Sequence, residues 1–307
     1  MKDFYGVRVP ATTANLGSGF DIMGAALNLY NEIYFEPDRT GHDISLKIEG
    51  EGAGEIREDR SNMIFQSMEA AAAAAGRTLP AGQLRMVNRI PLARGLGSSS
   101  AAVAGGIFMA NEIMDRPLDR TALLRLTASI EGHPDNAAPA VLGGICLAQY
   151  EKGEVFVQRI EPPASWRAVV CIPDFEVLTA HARAVLPPSF PRTDAVHNAG
   201  AAAFLLMAFI REDPALLKRG LDDRIHVPYR LPLIPGAQAV IDAALRSGAY
   251  GATISGSGST MIAFCPPPAA PAAAAAMEEA FRTAGAEARS LVLSFDPEGI
   301  SDMGLDK

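Results

Sequence analysis

The chain has 307 residues, of which 49% are hydrophobic and 20% are charged, and its formal net charge is −8. This length and composition are typical of a soluble globular protein with one large or two medium domains, and we predict two. The acidic balance argues against general affinity for nucleic acids or anionic membranes. An anionic ligand would therefore need local amides, a metal ion or a few arginines.

The cysteines and the apolar segments indicate the compartment. Cys146, Cys171 and Cys265 are odd in number and lie in apolar surroundings, so we predict buried thiols in a reducing compartment. The first residues contain no apolar signal-peptide core. The longest apolar stretch, 201–210, is shorter than the roughly 18 residues that span a bilayer. We therefore predict a cytoplasmic protein without a membrane partner.

The sequence pattern of the first half of the chain predicts several strands and then a mixture of helices and strands. Alternating apolar residues predict strands within the first 60 residues, at 33–35 and 44–48 among others. Further elements are predicted as a helix at 61–75, a strand at 83–90, helices at 98–114 and 119–130, a strand at 145–150 and a hairpin turn at 151–154.

The second half repeats this mixture. The predicted elements are a strand at 167–173, helices at 193–211, 213–221 and 235–247, strands at 252–255 and 261–264, and a helix at 269–284. A division near residue 155 gives predicted domains 1–155 and 156–307, each with helices over one side of a sheet, which is α+β in class.

The segment PLARGLGSSSA at 91–101 carries the strongest chemical signal. Gly95 and Gly97 can adopt backbone conformations that other residues resist, and the amides from Ser98 onward open a helix whose positive end favours phosphate. A serine hydroxyl there could hold the Mg²⁺ that accompanies ATP, because hard cations prefer oxygen. Taken alone, the segment is also typical of an ordinary strand-to-helix turn with serine caps.

Two further motifs, PATTANLGSGFD at 10–21 and ISGSGST at 254–260, accompany this segment. The lysine of the P-loop is missing, and no GxGxxG follows a strand. The order of the three motifs resembles the GHMP kinases. Within them, EGHPDNAAPAVLGG at 131–144 and HVPYRLPLIPG at 226–236 are similar to the homoserine kinases.

The resemblance implies a two-domain GHMP kinase fold, with a ribosomal S5 domain 2-like amino-terminal domain, a ferredoxin-like carboxy-terminal domain and the active site between them. It implies transfer of phosphate from ATP, with Mg²⁺, to the hydroxyl of L-homoserine in threonine biosynthesis, and a homodimer. The residues expected to contact ATP are Pro91, Leu92, Ala93, Arg94, Gly95, Leu96, Gly97, Ser98, Ser99, Ser100, Ala101, Gly256 and Gly258. The two last glycines are also typical of a tight turn between strands.

The resemblance also assigns the catalytic groups. Ser99 and Glu131 are expected to coordinate Mg²⁺, and Asn136 is expected to orient the substrate hydroxyl. An amide cannot accept a proton as a carboxylate does, so the presence of a general base stays open, with Asp135 as the neighbouring carboxylate. His133 and His226 are expected to be structural hydrogen-bonding groups.

An amino-acid substrate needs arginine for its carboxylate and an acid for its ammonium group. The resemblance assigns these roles to the residues Thr179, Arg183 and Arg230 and to Asn15 and Asp21, the last two holding the ammonium group. Asn62 is expected either near the adenine or as a helix N-cap.

Two other functions fit the same motifs. One is a GHMP kinase for another small alcohol, such as mevalonate. The pairing of Asp21 with two arginines suits a zwitterion better than a plain acid. The other is a sensor that binds nucleotide or metabolite without turnover, against which the intact Ser99 and Glu131 argue.

Overall fold

The computed structural model describes residues 3–304, and the first half of the chain forms a seven-stranded sheet that one strand from the carboxy-terminal end completes. Its strands are β1 (Tyr5–Ala14), β2 (Met23–Pro37), β3 (Ile44–Gly50), β4 (Gly82–Asn88), β5 (Ile145–Glu151), β6 (Glu154–Ile160) and the late β11 (Ser301–Asp302). The order is β11-β1-β2-β4-β3, with β5 paired to β2 and β6 to β5, and only β3 and β4 run parallel. Its helices are α1 (Met63–Ala75), α2 (Ser98–Ile113), α3 (Arg120–Glu131) and α4 (Pro134–Leu142).

The second half forms an antiparallel four-stranded sheet with helices packed against it. The strands β7 (Arg167–Pro173), β8 (Gly251–Ile254), β9 (Met261–Cys265) and β10 (Ala288–Leu293) have the order β10-β7-β9-β8. The helices are α5 (Thr179–Ala184), α6 (Arg192–Arg211), α7 (Pro214–Gly220), α8 (Val227–Arg230), α9 (Ala237–Arg246) and α10 (Ala270–Thr283), and a single 3₁₀ turn covers Leu231–Leu233. The predicted α+β class is confirmed.

The core explains why these segments take these forms. β7 is buried at six of its seven positions, as expected for an interior strand with apolar residues on both faces. α10 buries Met277 and Phe281 on one face, so the alanine-rich segment is a helix, as predicted, and not a linker. The largest apolar cluster extends from the first sheet to Phe264 and Phe295 of the second half, which fixes the two sheets against each other.

The main difference from the predicted elements lies at residues 131–136, which the sequence indicates as a chain reversal. The chain does turn at Gly132, but α4 then begins at Pro134. Proline fits the first position of a helix because the N–H that it lacks would have no partner there. The helices α5 and α8 and the strands β10 and β11 were also not predicted.

The helix α6 is twice as long as the apolar stretch 201–210, which the sequence analysis judged too short to span a bilayer. By length and composition its 20 residues could cross a membrane. One face of α6 nevertheless enters the core, where the ring of Phe209 lies 5.7 Å from that of Phe264. Exposed apolar residues such as Ile210 occupy the opposite face. A single helix of this kind is a weak indication of membrane contact.

Candidate active site

The loop between β4 and α2 has the geometry expected of a phosphate-binding turn. Gly95 and Gly97 take left-handed φ angles of 72° and 71°, and α2 begins directly after Gly97. A Cβ atom on Gly97 would lie 1.9 Å from Thr12 Oγ1, and one on Gly95 would lie 2.2 Å from the Ser255 carbonyl oxygen. Both conformation and space therefore require glycine, and the amides of the first turn of α2 are left for an anion.

Two serines of α2 meet the last residue of α3. Ser99 Oγ donates to Glu131 Oε1 at 3.0 Å, and Ser100 Oγ donates to Glu131 Oε2. The chain leaves α3 at once through Gly132, whose φ is 80°. Hydroxyl and carboxylate oxygens beside a phosphate-binding turn are the ligands that Mg²⁺ prefers, so the donor set fits this ion.

The first turn of α4 brings an amide and a carboxylate to the same cleft. Thr12, which is fully buried on β1, donates through Oγ1 to Asn136 Oδ1 at 2.6 Å. Asp135 is only 4% exposed. Burial, and then the nearby negative charge of Asp21, raise the pKa of Asp135 to about 7. Burial also lowers the pKa of His133, the residue before α4.

Asp21 and Arg183 form a bidentate salt bridge across 162 residues of sequence, with Nη1 to Oδ2 at 3.0 Å and Nη2 to Oδ1 at 2.8 Å. This hydrogen bonding raises the pKa of Arg183. The Phe20 ring lies beneath two guanidinium groups, with the Cζ atoms of Arg183 and Arg230 at 5.7 and 5.1 Å from its centroid. Phe20 was not predicted as a site residue, although it lies inside the first motif.

Arg230 is a buried cation, 2% exposed, with no salt bridge to a carboxylate among the described residues. Its Nε donates to the Ala182 carbonyl at 3.1 Å and its Nη1 donates to the Gly256 carbonyl at 3.2 Å. Burial, and then repulsion from Arg183, lower its pKa to about 10. Such a guanidinium is suited to an anionic ligand in the cleft.

His226 lies within hydrogen-bonding distance of Arg230. Its Nε2 lies 2.7 Å from the Gly17 carbonyl, which can only accept, so Nε2 carries the proton and Nδ1 is an acceptor. Nδ1 lies 3.4 Å from Arg230 Nη1. The imidazole is fully buried and stacks on Phe20 with centroids 5.0 Å apart, and burial lowers its pKa. The predicted structural role of His226 agrees with these contacts.

Asn15 joins the first motif to the third. Its Nδ2 donates to the Gly256 carbonyl at 2.8 Å, and its Oδ1 accepts from the Asp21 amide at 3.0 Å. Asn15 and Asp21 have φ angles of 68° and 59°, a region that asparagine and aspartate tolerate best among residues with a side chain. Both polar groups of Asn15 are thus already bonded within the protein.

Most predicted site residues line one cleft of about 400 Å³. They are Asn15, Asp21, Ala93, Arg94, Gly95, Gly97, Ser98, Ser99, Ser100, Glu131, Asn136, Thr179, Arg183, Arg230 and Gly256. Ser257, not predicted, also lines it and lies 3.3 Å from the hydroxyl of Thr179.

The remaining predicted ATP residues lie outside this cleft, and one of them, Leu92, lines both a different cleft and an apolar cavity next to the active-site cleft. Leu96 and Ala101 are buried in the core, and Gly258 packs toward Ile234. Pro91 lines a different cleft, between the loop and β7. Arg94, although it borders the active cleft, donates to the carbonyls of Pro173 and Asp174 and so ties the loop to the second half.

A second, largely apolar cavity of about 390 Å³ adjoins the cleft. Five residues line both spaces: Met63, Ala93, Ser98, Ser99 and Thr179. Asn62 borders this cavity and is the N-cap of α1, with its Oδ1 accepting from the Ile64 amide at 3.0 Å. Both positions proposed for Asn62 from the sequence are therefore compatible with the structure.

The fold and the cleft together define a small-molecule kinase of the GHMP class. Residues 62–144 match the family of GHMP kinase N-terminal domains, and residues 205–283 match the family of GHMP kinase C-terminal domains. These ranges include the glycine-serine loop, Glu131, Asn136, Arg230 and the third motif.

Similarity over nearly the full length of the chain identifies its family within the GHMP kinases. A homoserine kinase of Moorella thermoacetica is 45% identical over 273 residues, covering 88% of this chain and 91% of the relative. A homoserine kinase of Desulfitobacterium hafniense is 40% identical over 293 residues, covering 95% and 98%. The crystal structure of a homoserine kinase from Cytophaga hutchinsonii superimposes with a TM-score of 0.90 at 30% identity, covering 99% and 98%. The chain belongs to the homoserine kinase family of the GHMP kinases.

Proposed function

We propose that the protein transfers the γ-phosphoryl group of ATP to the side-chain hydroxyl of L-homoserine, which yields O-phospho-L-homoserine for threonine biosynthesis. The observation that carries this proposal is the composition of the cleft. A phosphate-binding loop, an acidic group paired with an arginine, and a buried arginine that pairs with no carboxylate within residues 3–304 all line it. The similarity to proteins named homoserine kinase supports the choice of amino acid.

The loop and α2 would hold the phosphates. Backbone amides after Gly97 face the position of an anion, and Ser99 and Glu131 would hold Mg²⁺. Bound Mg²⁺ supplies the positive charge that neutralises the phosphates during transfer. Glu131 would fix the ion relative to the loop, since its two carboxylate oxygens already bond Ser99 and Ser100.

The acidic and basic groups at the other end of the cleft would bind the amino acid. Arg230 and Arg183 would hold the carboxylate, and Asp21 would hold the ammonium group. Because Asp21 and Arg183 bond each other, a zwitterion would replace that pair with two new ones and leave neither charge unpaired. A ligand with only one of the two charges would leave a partly buried charge uncompensated.

Asn136 would position the substrate hydroxyl. Thr12 fixes its Oδ1, so its Nδ2 is the group free to face the substrate oxygen. An Nδ2 donor cannot remove the hydroxyl proton. A loose transition state lessens the need for a base, and Asp135 is the nearest carboxylate in sequence. The apolar cavity would hold the adenine.

The similarity to the same family supports further proposals on the compartment, the oligomeric state, the partners and the domain division. We propose a cytoplasmic homodimer without nucleic-acid or membrane partners, divided near residue 155 into a 1–155 ATP-binding domain and a 156–307 domain. Sedimentation of the purified protein at several concentrations measures the oligomeric state, and limited proteolysis near 155 tests the division.

The activity is tested with purified protein, ATP and Mg²⁺ against L-homoserine, 4-hydroxybutanoate and mevalonate. ADP release gives the rate, and ³¹P NMR identifies the phosphorylated product. We expect turnover with L-homoserine and far less with the other two. Equal turnover with mevalonate would support a kinase for another alcohol. ATP binding without turnover of any alcohol would support a sensor.

A further inference from the structure

The helix α6 is apolar on every side from residue 199 to residue 210, although only one side of it enters the core. Leu205 and Phe209 lie on the buried side. The opposite side, the outer face of α6, consists of Val196, Gly200, Ala203, Phe204, Met207 and Ile210. Its four large side chains are 39–67% exposed, and no other helix within residues 3–304 exposes more than one such side chain. A helix that is apolar all round is normally buried all round, so the outer face indicates a further contact.

The spacing of the outer face is typical of a helix that packs along a second helix. Its central row is Val196, Gly200, Ala203, Met207 and Ile210, at intervals of four, three, four and three residues. These intervals are those of the a and d positions of a coiled coil. The row is also symmetric about Ala203, because Val196 and Ile210 lie seven residues before and after it. A symmetric row of this kind can pack against a copy of itself.

Gly200 lies in this row without a steric reason inside the single chain. No heavy atom lies within 4 Å of the position that its Cβ atom would occupy. Glycine in the interior of a helix costs about 1 kcal/mol relative to alanine, and the single chain gains no close contact from it. A second helix that passes over this point would use the space, because glycine allows close approach of another backbone. An acyl chain of a lipid has no such requirement.

The charges at the two ends of α6 suit an antiparallel pair of copies. Arg192 lies four residues before Val196, so it extends the row at the start of the helix, and it forms no ion pair within residues 3–304. Glu212 is exposed directly after the other end of the helix, with the Ser165 hydroxyl as its hydrogen-bond donor. In an antiparallel pair centred on Ala203, each Arg192 would lie beside Glu212 of the other copy. The negative end of that helix also favours a cation there.

The size of the outer face fits the centre of a dimer interface. Monomeric proteins rarely expose a contiguous apolar patch of more than a few hundred Å². Four large side chains that are 39–67% exposed, with exposed alanine between them, form a patch of about this size. A standard interface buries roughly 800 Å² per partner and combines an apolar centre with a polar rim. The outer face would be such a centre, with the charged ends of α6 in the rim.

We propose that the outer face of α6 binds the same face of a second copy of the chain, so that the two α6 helices pack antiparallel about a two-fold axis at Ala203. The inference rests on the homodimer of the proposed function and names its interface. A two-fold axis pairs each residue with the one at equal distance on the other side of the axis. Val196 therefore meets Ile210 of the other copy, and Ala203 meets its own counterpart. The small residues at the centre let the two helices approach closely.

The first test measures the mass of the full chain by sedimentation. We expect the wild type to be a dimer and Ile210→Glu to raise the Kd of dimerisation at least about a hundredfold, because it places an unpaired charge in an apolar contact. Leu245→Glu is the matched control, since Leu245 is an exposed apolar residue of α9 and its replacement should leave the dimer intact. Circular dichroism checks that each variant is folded. A monomeric wild type, or a dimer that Ile210→Glu leaves intact, overturns the proposal.

Cysteine cross-linking tests the orientation of the two helices without disrupting them. The native cysteines are buried, so an introduced thiol is the one available for mild oxidation. Ala203→Cys should form a disulfide between copies, because residues at the axis come within the roughly 7 Å between Cα atoms that a disulfide allows. Ala239→Cys, at an exposed alanine of α9, is the control and should stay unlinked. A lack of cross-linking at Ala203→Cys would contradict the proposal.

A mixing experiment separates antiparallel from parallel packing. Val196→Cys and Ile210→Cys should each stay unlinked alone and should link to each other when the two variants are mixed. Their own counterparts would lie roughly 20 Å away, since each residue is seven positions from the axis at 1.5 Å per residue. Disulfides between copies of Val196→Cys alone would show parallel packing and would overturn the proposed arrangement.

A membrane surface is the other partner that an apolar helix face could bind. Co-sedimentation with vesicles of phosphatidylcholine and phosphatidylglycerol measures this. A monomeric wild type that binds the vesicles, and loses them in Ile210→Glu, would assign the face to a membrane and overturn the proposal. These measurements do not depend on turnover. A dimer through α6 that fails to phosphorylate homoserine would overturn only the proposed activity, and an active monomer would overturn only the dimer and its interface.

Discussion

Arg183 and Asp21 bond each other with two parallel hydrogen bonds of 2.8 and 3.0 Å. The sequence motifs nevertheless assign the two residues to different groups of the substrate, Arg183 to the carboxylate and Asp21 to the ammonium group. Both side chains are about one-third exposed, so the pair lies at the border of the cleft rather than deep in the core. A substrate that carries both charges can exchange with this pair without leaving a charge unpaired.

Replacing Asp21 tests this exchange. We expect Asp21→Asn to raise the KM for homoserine by roughly ten- to a hundredfold, while the KM for ATP changes little, because the ammonium group loses its partner. The variant should lose less against 4-hydroxybutanoate, which lacks the amino group. Asp222→Asn is a control, since Asp222 forms its ion pairs at the surface. An equal rise in the KM for ATP would contradict the assignment.

Two substitutions of His226 separate orientation of Arg230 from simple packing. Asparagine Oδ1 lies the same number of bonds from the backbone as histidine Nδ1, so His226→Asn retains an acceptor for Arg230. Glutamine reaches only the Nε2 position, so His226→Gln retains the contact with the Gly17 carbonyl instead. We expect the asparagine variant to keep a KM for homoserine several-fold closer to the wild type. If the glutamine variant is the better one, His226 does not act through Arg230.

The proposed Mg²⁺ site would depend on the carboxylate of Glu131. Glu131→Gln retains the size and hydrogen-bonding capacity toward Ser99 but removes the negative charge. We expect kcat to fall by at least about a hundredfold, in line with the loss of one charge-stabilising group. A titration of the rate against Mg²⁺ concentration should also show that the variant binds Mg²⁺ more weakly than the wild type does. Near-normal kcat at saturating Mg²⁺ would refute the role of Glu131.

The sequence predicted the elements whose signals are local. α2 follows from the glycine pair and the apolar run after it, and α10 follows from the spacing of Met277 and Phe281. The helix α4 was missed because its prolines and polar first turn resemble a loop, although Pro134 occupies the one helical turn that tolerates it. The pairing of β11 with β1 joins opposite ends of the chain, and no local pattern encodes such a contact.

The site was predicted in the same uneven way. The glycine-serine loop and the Ser99–Glu131 contact were expected from motifs, and the structure brings these residues together. The hydrogen bond from Thr12 to Asn136 and the position of Phe20 beneath two guanidinium groups were not expected. Each depends on side chains that are far apart in the sequence, so only the folded structure shows it.

Asp135 makes the stability of the protein depend on pH in a defined direction. Its pKa is raised from 3.8 to about 7, chiefly by burial, so the folded state holds this proton more tightly than the unfolded chain. The stabilisation from the protonated acid is complete below the unfolded pKa and is lost as the pH rises through the folded pKa. The relevant window therefore extends from about pH 4 to about pH 7.

Asp135→Asn removes this titration while retaining an oxygen that can accept from the Asn136 amide, as Asp135 Oδ1 does at 3.0 Å. We expect the free energy of unfolding of the variant, relative to that of the wild type, to increase with pH across the window by up to about 1.4 kcal/mol per pH unit. Urea unfolding of both proteins at several pH values measures this difference, and carboxyl ¹³C NMR of Asp135 measures the midpoint directly. A difference that is constant or decreases as the pH rises would show that folding does not raise the pKa of Asp135, despite its burial and the neighbouring charge of Asp21.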